Sequence, residues 1–396
     1  MFNHKEQDEN ESTEPDLLEF DMQFDFPPNK TPEDEKLFDT ISEISKQGYA
    51  FLKEDDINNA TAEFLRILDL DPQNNYALVG LGDAARKEKK YDKAINYYEH
   101  CLQYHPQNNY ALFGLADCYK IQRKYKRAIQ IWEKYLVFDP ENIAVLTRIA
   151  DAHRKNADFD SAKLLYNKVL EISKNNSYAL IGLGHLYYDF KKYREALGYW
   201  LKVVELSSSE ETDIRILTSI GNCYRKLKDF NKALPYFSAA IDREGENFYA
   251  LFGIADCYRG LNKHKNSIEY WNRILALDPN NKVILTRLGD AYRNIHDFDN
   301  AERAYKKALN IAYDSYALLG LVILKKEKGA YQEAIADFND LLKKDKKNYR
   351  IYLELAKCYV KLGDTKNALA VLDEFRKLGI RNRYISELYN QIKYAQ

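Results

Sequence analysis

The sequence predicts an all-α chain built from stacked pairs of helices, and three observations predict it. A block of 34 residues recurs in tandem, clearest at 109–142 and again at 143–176. Within a block apolar residues fall at three- and four-residue steps, as in Leu112, Leu115, Ala116 and Tyr119, then Ile129, Trp132 and Leu136. That spacing lines one face of a helix. Two interruptions punctuate each block: a polar turn such as Arg123-Lys124-Tyr125-Lys126, and a proline-bearing stretch such as Asp139-Pro140-Glu141-Asn142. The residue before proline is disfavoured in helical geometry, so the second interruption ends a helix. A single helix pair cannot bury both of its apolar faces, and tandem stacking is what stabilises it.

The elements follow in order. Residues 1–30 have the composition of a disordered acidic arm, and residues 1–40 hold 13 Asp and Glu against 3 Lys and Arg. Inside the arm Leu18, Phe20, Met22, Phe24 and Phe26 alternate with Glu19, Asp21, Gln23 and Asp25. An extended chain puts such an apolar set on one side, so the stretch reads as a docking segment for the chain's own groove or a partner, or as a solubilising tail. Thr31-Pro32-Glu33-Asp34 is a helix start, with a capping threonine, proline at the first helical place and acids in the first turn.

From there repeats are expected at about 41–74, 75–108, 109–142, 143–176, 177–213, 214–247, 248–281, 282–314, 315–348 and 349–382. The array as a whole occupies 31–382, and 383–396 reads as a helix capping the last exposed face. The fifth repeat carries three extra residues within Ser207–Asp213, and the eighth lacks one. Pro235 falls early in a second helix, where it removes one backbone bond.

A doubled period lies over the first. Trp132, Trp200 and Trp271 are 68 and 71 residues apart and always stand at place 24 of odd repeats. Odd repeats open alike (Tyr110-Ala111-Leu112, Tyr178-Ala179-Leu180, Tyr249-Ala250-Leu251, Tyr316-Ala317-Leu318), whereas even ones carry Leu146-Thr147-Arg148, Leu217-Thr218-Ser219 or Leu285-Thr286-Arg287. The inner surface is therefore expected to change character with every second helix pair.

Composition and motifs weigh against chemistry. The chain of 396 residues has a formal net charge of −1, which carries no nucleic-acid signal. No apolar run approaches the roughly 20 residues of a membrane span, and the N-terminus lacks the pattern of a secretory signal, so a cytoplasmic address is expected. Four of five cysteines (Cys118, Cys223, Cys257, Cys358) share the tenth place of their repeats, which other repeats fill with Ala or Leu. They read as small core residues, not as metal ligands. Phosphate loops, nucleophile elbows and HExxH patterns are absent, so neither enzymatic activity nor a cofactor nor a small-molecule substrate is expected.

The small residue at place 8 (Ala116, Ala150), Ala128 or Ala162 at place 20, an aromatic at place 24 (Trp132, Tyr166) and a late proline form the pattern of the tetratricopeptide repeat, which residues 41–382 resemble. The resemblance implies a right-handed superhelical solenoid of about ten helix-turn-helix repeats whose first helices line a concave groove. It also implies that places 2, 5, 9 and 12 face a protein or peptide partner, places 2, 9 and 12 being the aromatic and charged ones. Here these are Tyr76, Tyr110, Tyr178, Tyr249 and Tyr316; Asp83, Asp117, Asp151, Asn222, Asp256 and Asp290; and Arg86, Lys120, Arg154, Arg225, Arg259 and Arg293. Repeats five and nine depart from the pattern with His185/Tyr188 and Ile323/Lys326. Place 5 holds no Lys, so the carboxylate clamp of the chaperone-tail-binding subclass is not expected. Three roles follow from the resemblance: a scaffold for assembling a multiprotein complex, a chaperone or regulatory adaptor holding an extended peptide, with the arm as an autoinhibitory or docking segment, and a self-associating structural protein.

Overall fold

The structure, a computed structural model, describes residues 32–207 and 213–394. Among these the chain forms twenty-one helices and no strand. They fall into two compact units, 1–172 and 173–396. In the first unit α1 (Pro32–Lys53) pairs with α2 (Ile57–Leu70), α3 (Asn75–Lys87) with α4 (Tyr91–Tyr104), α5 (Asn109–Ile121) with α6 (Tyr125–Leu136), and α7 (Ile143–Lys155) with α8 (Phe159–Ile172). The second unit pairs α9 (Ser177–Asp189) with α10 (Tyr193–Leu206), α11 (Ile214–Lys226) with α12 (Phe230–Arg243), and α13 (Phe248–Gly260) with α14 (His264–Leu277). It continues with α15 (Lys282–Asn294) and α16 (Phe298–Ile311), α17 (Ser315–Glu327) and α18 (Tyr331–Lys344), and α19 (Tyr349–Lys361) and α20 (Thr365–Lys377). A single helix, α21 (Arg383–Tyr394), packs on α19 and α20. The docking residues Leu18, Phe20, Met22, Phe24 and Phe26, and most of the insertion near Ser207, lie outside the described residues.

Both ends of the first helices have a local cause. Asn74, Asn108 and Asn247 cap α3, α5 and α13 by accepting from the backbone N–H of Ala77, Ala111 and Ala250 at 2.8–3.1 Å. In the Asp-Pro-x-Asn stretches the cap is itself held, since Asp139 accepts from Asn142 at 2.8 Å and Asp278 from Asn281 at 3.0 Å. A cap of this kind is worth about 1 kcal/mol. At the other end the chain turns through a left-handed residue. Asp55, Lys89, Arg123, Ala157, Lys191, Lys228, Asn262 and His296 all have φ between +58° and +64°, and Gly329 and Gly363 take over in later pairs. The following N–H reaches back to close the helix, Lys90 to the Ala85 carbonyl and Lys124 to the Tyr119 carbonyl, each at 2.8 Å. α12 runs unbroken through Pro235.

The doubled period has a packing explanation. The aromatics of repeats two, six and eight are each pinned between two glycines, as is Phe64 of the first repeat: a Cβ on Gly82 would lie 2.5 Å from the Tyr98 ring, and one on Gly114 2.4 Å from it. Phe237 sits likewise between Gly221 and Gly253, and Tyr305 between Gly289 and Gly320. Trp132, Trp200 and Trp271 are equally buried. On their far side, however, the next repeat supplies Arg148, Ser219 or Arg287 where the even repeats meet glycine. Arg287 lies over the Trp271 ring at 5.8 Å. At Trp271 the larger indole is thus met by a long charged side chain of the following helix pair.

Candidate functional site

The first helix of each pair brings the aromatic and charged places together. Tyr110, Tyr178, Tyr249 and Tyr316 are 42, 49, 38 and 66% exposed at the start of α5, α9, α13 and α17, while Tyr76 on α3 is half-buried. A large ring left in solvent at one repeated place is a surface that burial in the core does not explain.

The carboxylates one to two turns on are not an exposed ladder. Asp83, Asp117 and Asp256 are buried, and Asp151 and Asp290 half-buried. In even repeats the partner is the pinned aromatic. Tyr98 donates to Asp83 at 2.7 Å, Tyr305 to Asp290 at 2.7 Å, and Tyr166 to Asp151 at 2.5 Å. Burial, together with the Asp83 charge, pushes the Tyr98 hydroxyl far above its usual range, which keeps it a donor. The intrahelical arginines add to this: Arg86 lies 3.2 Å from Asp83, Arg154 3.5 Å from Asp151 and Arg293 3.9 Å from Asp290. Arg293 also donates to Glu327 at 2.8 Å. The sixth repeat differs in both members at once, with Asn222 facing a pair whose aromatic is Phe237, a ring with no hydroxyl to give.

In odd repeats the carboxylate turns to the arginines of neighbouring pairs. Asp117 lies 3.6 Å from Arg148 of α7, whose guanidinium covers the Phe113 ring at 4.5 Å. Asp256 takes Arg225 of α11 at 2.7 Å, Arg259 of its own helix at 2.7 Å and Arg287 of α15 at 3.3 Å. Burial alone would raise the Asp256 carboxyl, but the Arg259 and Arg225 charges and hydrogen bonds hold it below the usual carboxylate range. Lys120 is half-buried on α5. Where the pattern lapses, His185 stands edge-on to Trp200 at 5.2 Å, and Tyr188 lies against the same ring at 5.8 Å. Ile323 is buried. There the charges exchange places: Lys326 of α17 meets Glu354 of α19 at 2.5 Å, and Lys357 meets it at 2.8 Å.

Arg148, Arg287, Phe113 and Phe252 were not among the residues selected from sequence. The signal was present in Leu146-Thr147-Arg148 and Leu285-Thr286-Arg287, since a charged residue at place 6, where other repeats carry glycine, has to find a partner on the preceding pair. The five cysteines are buried, and burial pushes the thiols of Cys101, Cys118, Cys223 and Cys257 up to about 12, which suppresses thiolate chemistry. Among the described residues no group of three or more His, Cys, Asp or Glu is placed to hold a metal ion, and no helix is long and apolar enough to cross a membrane.

The chain belongs to the tetratricopeptide repeat family. Sequence profiles of that repeat match residues 45–100 and 219–282, 85–147 and 326–378, and 143–176 and 284–315. A protein of this fold is a scaffold for protein–protein interaction. Among solved structures, a tetratricopeptide repeat protein from Parabacteroides merdae superposes with a TM-score of 0.50 at 17% identity, over 63% of this chain and 98% of that one. PilF of Pseudomonas aeruginosa gives 0.46 at 16% identity over 54% and 96%, and the Cut9–Hcn1 hetero-tetramer of the APC/C gives 0.45 at 15% over 89% and 76%. These likenesses concern the fold. No curated protein matches the sequence.

Proposed function

We propose that the chain is a non-catalytic scaffold that takes extended segments of partner proteins along the first-helix face and so brings them into a multiprotein complex. The observation that carries this reading is the exposed tyrosine repeated at one place of α9, α13 and α17 in the second unit, and found at the same place of α5 in the first. Tyrosine supplies large contact area with only two rotatable angles to freeze, so it is suited to binding. Arg225, Arg259 and Arg287, partly exposed on the first helices α11, α13 and α15, add charge selection, and charged groups at an interface act on partner choice and encounter rate more than on raw affinity.

The reading is tested by placing a photocrosslinking amino acid in the full chain at Tyr249 or Tyr316, and separately at Lys343 on the second-helix side, where the side chain is 76% exposed. Adducts with one identified protein from the first two positions and none from Lys343 are the expected result. Crosslinking that is equal from all three, or only between copies of the chain, overturns it.

A further inference from the structure

A second surface lies away from the first-helix face, where α20 turns into α21. The turn encloses a hollow of about 600 Å³ lined by Arg376, Arg381 and Arg383 together with Gly379, Ile380 and Ile385. From 376 to 383 the chain carries four basic side chains, Lys377 being the fourth, and no acidic one. Asp373, Glu374 and Glu387 on the flanking helix turns bring the local balance to one positive charge.

The walls of the hollow are held in place. The chain leaves α20 through Gly379 at φ +73°, a conformation that a side chain would strain. Ile385 is 1% exposed, and the ring of its neighbour Tyr384 stacks on Tyr349 of α19 at 6.2 Å. The Arg376 guanidinium lies over the Tyr389 ring at 4.4 Å. Asn382 accepts from the N–H groups of Tyr384 and Ile385 at 3.0 and 3.2 Å, so the start of α21 is already capped and the arginines are what the hollow offers. Arg376 donates to Asp373 through Nη1 at 3.0 Å, and Arg383 to Glu387 through Nε at 2.5 Å. Each pair uses a single nitrogen, which leaves Arg376 its Nε and Nη2 and Arg383 both Nη groups. Arg381 makes no ion pair among the described residues and keeps its whole fork.

We propose that this hollow binds the phosphate of a phosphorylated serine or threonine on a partner protein. The donor set selects the anion. A carboxylate has two oxygens and is satisfied by one guanidinium fork, whereas three forks around one hollow match a dianion with three terminal oxygens. Shape selects what carries it. The hollow is far larger than a phosphate group, and Gly379, Ile380 and Ile385 give it an apolar wall on which the peptide's neighbouring side chains can be buried. With the turn already ordered, the cost of binding is mainly the freedom of the arginine side chains. The surface is built by the second helix of the last pair and by the terminal helix, so it stands or falls independently of the first-helix face.

The test uses the full chain and two pools of fluorescein-labelled peptides, randomised at the flanking places, with phosphoserine or serine at the centre. Fluorescence polarisation is expected to show the phosphoserine pool binding about tenfold more tightly at low ionic strength, the gap narrowing as salt is added. Arg381→Gln and Arg383→Gln are each expected to cut that preference about fivefold, and Arg381→Lys, which keeps the charge without the planar fork, to retain part of it. Lys343→Gln removes an exposed cation of α18 and should leave the preference unchanged, with circular dichroism checking that each variant folds. Equal affinity for the two pools, no binding of the phosphoserine pool, or a preference that survives both glutamine changes overturns the proposal. So does inorganic phosphate that displaces the phosphoserine pool at a concentration near the pool's own Kd, because the apolar wall would then take no part. Oligouridylate that binds more tightly than the phosphoserine pool, and is lost with the same arginines, would give the hollow to a nucleic acid and overturn it as well. None of these outcomes bears on the crosslinking map at Tyr249 and Tyr316, which alone judges the first-helix face.

Discussion

The same constellation is built once in each unit, and the two copies differ in whether they are closed. In the first, Phe113, Asp117 and Arg148 form a sealed set, with the Arg148 side chain 8% exposed over the Phe113 ring. In the second, Phe252, Asp256 and Arg287 occupy the equivalent places, but Arg287 is 32% exposed and two more arginines share its carboxylate. The cause lies one repeat earlier. Arg86 is held by Asp83, which the buried Tyr98 also holds, so its charge is spent locally. In the second unit that aspartate is Asn222 and that tyrosine is Phe237, and Arg225 turns to Asp256 instead. Exchanging one carboxylate for an amide converts a closed ion pair into a cluster with cations to spare. The pair in the first copy is sealed, whereas the arginines of the second are partly exposed around their shared carboxylate.

The largest expected effect tests what the copies share. Trp132→Ala and Trp271→Ala each remove a fully buried indole and should each lower unfolding free energy by about 3–5 kcal/mol in denaturant titrations. A much smaller loss at one of them would show that the two copies are not packed alike. The next effect separates them. Arg148→Ala leaves Asp117 buried without its cross-helix cation and should cost about 3 kcal/mol, whereas Arg287→Ala leaves Asp256 with two arginines and should cost about 1 kcal/mol or less. Equal costs would dissolve the distinction between sealed and open.

Acid titration sharpens the same contrast. Because the folded-state pKa of Asp256 lies below its ordinary value of 3.8, its contribution is fully present above that value and is lost as the pH falls through the folded pKa. Thermal melts of the wild type should therefore lose stability below about pH 4 more steeply than those of Asp256→Asn, which lacks the titrating group. Parallel curves would show that the three arginines contribute nothing through that carboxylate. The smallest stability effect concerns the turns. Ala157 adopts φ +61°, a conformation that Gly329 and Gly363 supply without a side chain in later pairs. Ala157→Gly should stabilise the first unit by about 1 kcal/mol in the same titrations, since relief of left-handed strain exceeds the added chain entropy.

Most of the helix-pair architecture was legible, because a 34-residue period with small residues at fixed places leaves few other ways to bury two apolar faces. The doublet was legible in Trp132, Trp200 and Trp271, though not the contact of Arg287 with the Trp271 ring, which needs the two helix pairs seen together. The left-handed turn was hidden at Ala157 and Lys191, where residue type carries no sign of positive φ. For the candidate site, place number located the tyrosines and charges but not their use. Asp83 and Asp256 look alike in sequence, and what separates their surroundings is the Asn222 and Phe237 of the repeat before Asp256, where the second repeat has Asp83 and Tyr98.

That difference is open to a single substitution. Asn222→Asp, made in the full chain, restores the carboxylate that the first unit has at Asp83. The account predicts that Arg225 is drawn onto it, so that the Arg225–Asp256 coupling read from a double-mutant cycle in denaturant titrations falls to well under half of its value in the wild type. An unchanged Arg225–Asp256 coupling in a folded Asn222→Asp protein would contradict the claim that a missing carboxylate is what turns Arg225 to Asp256.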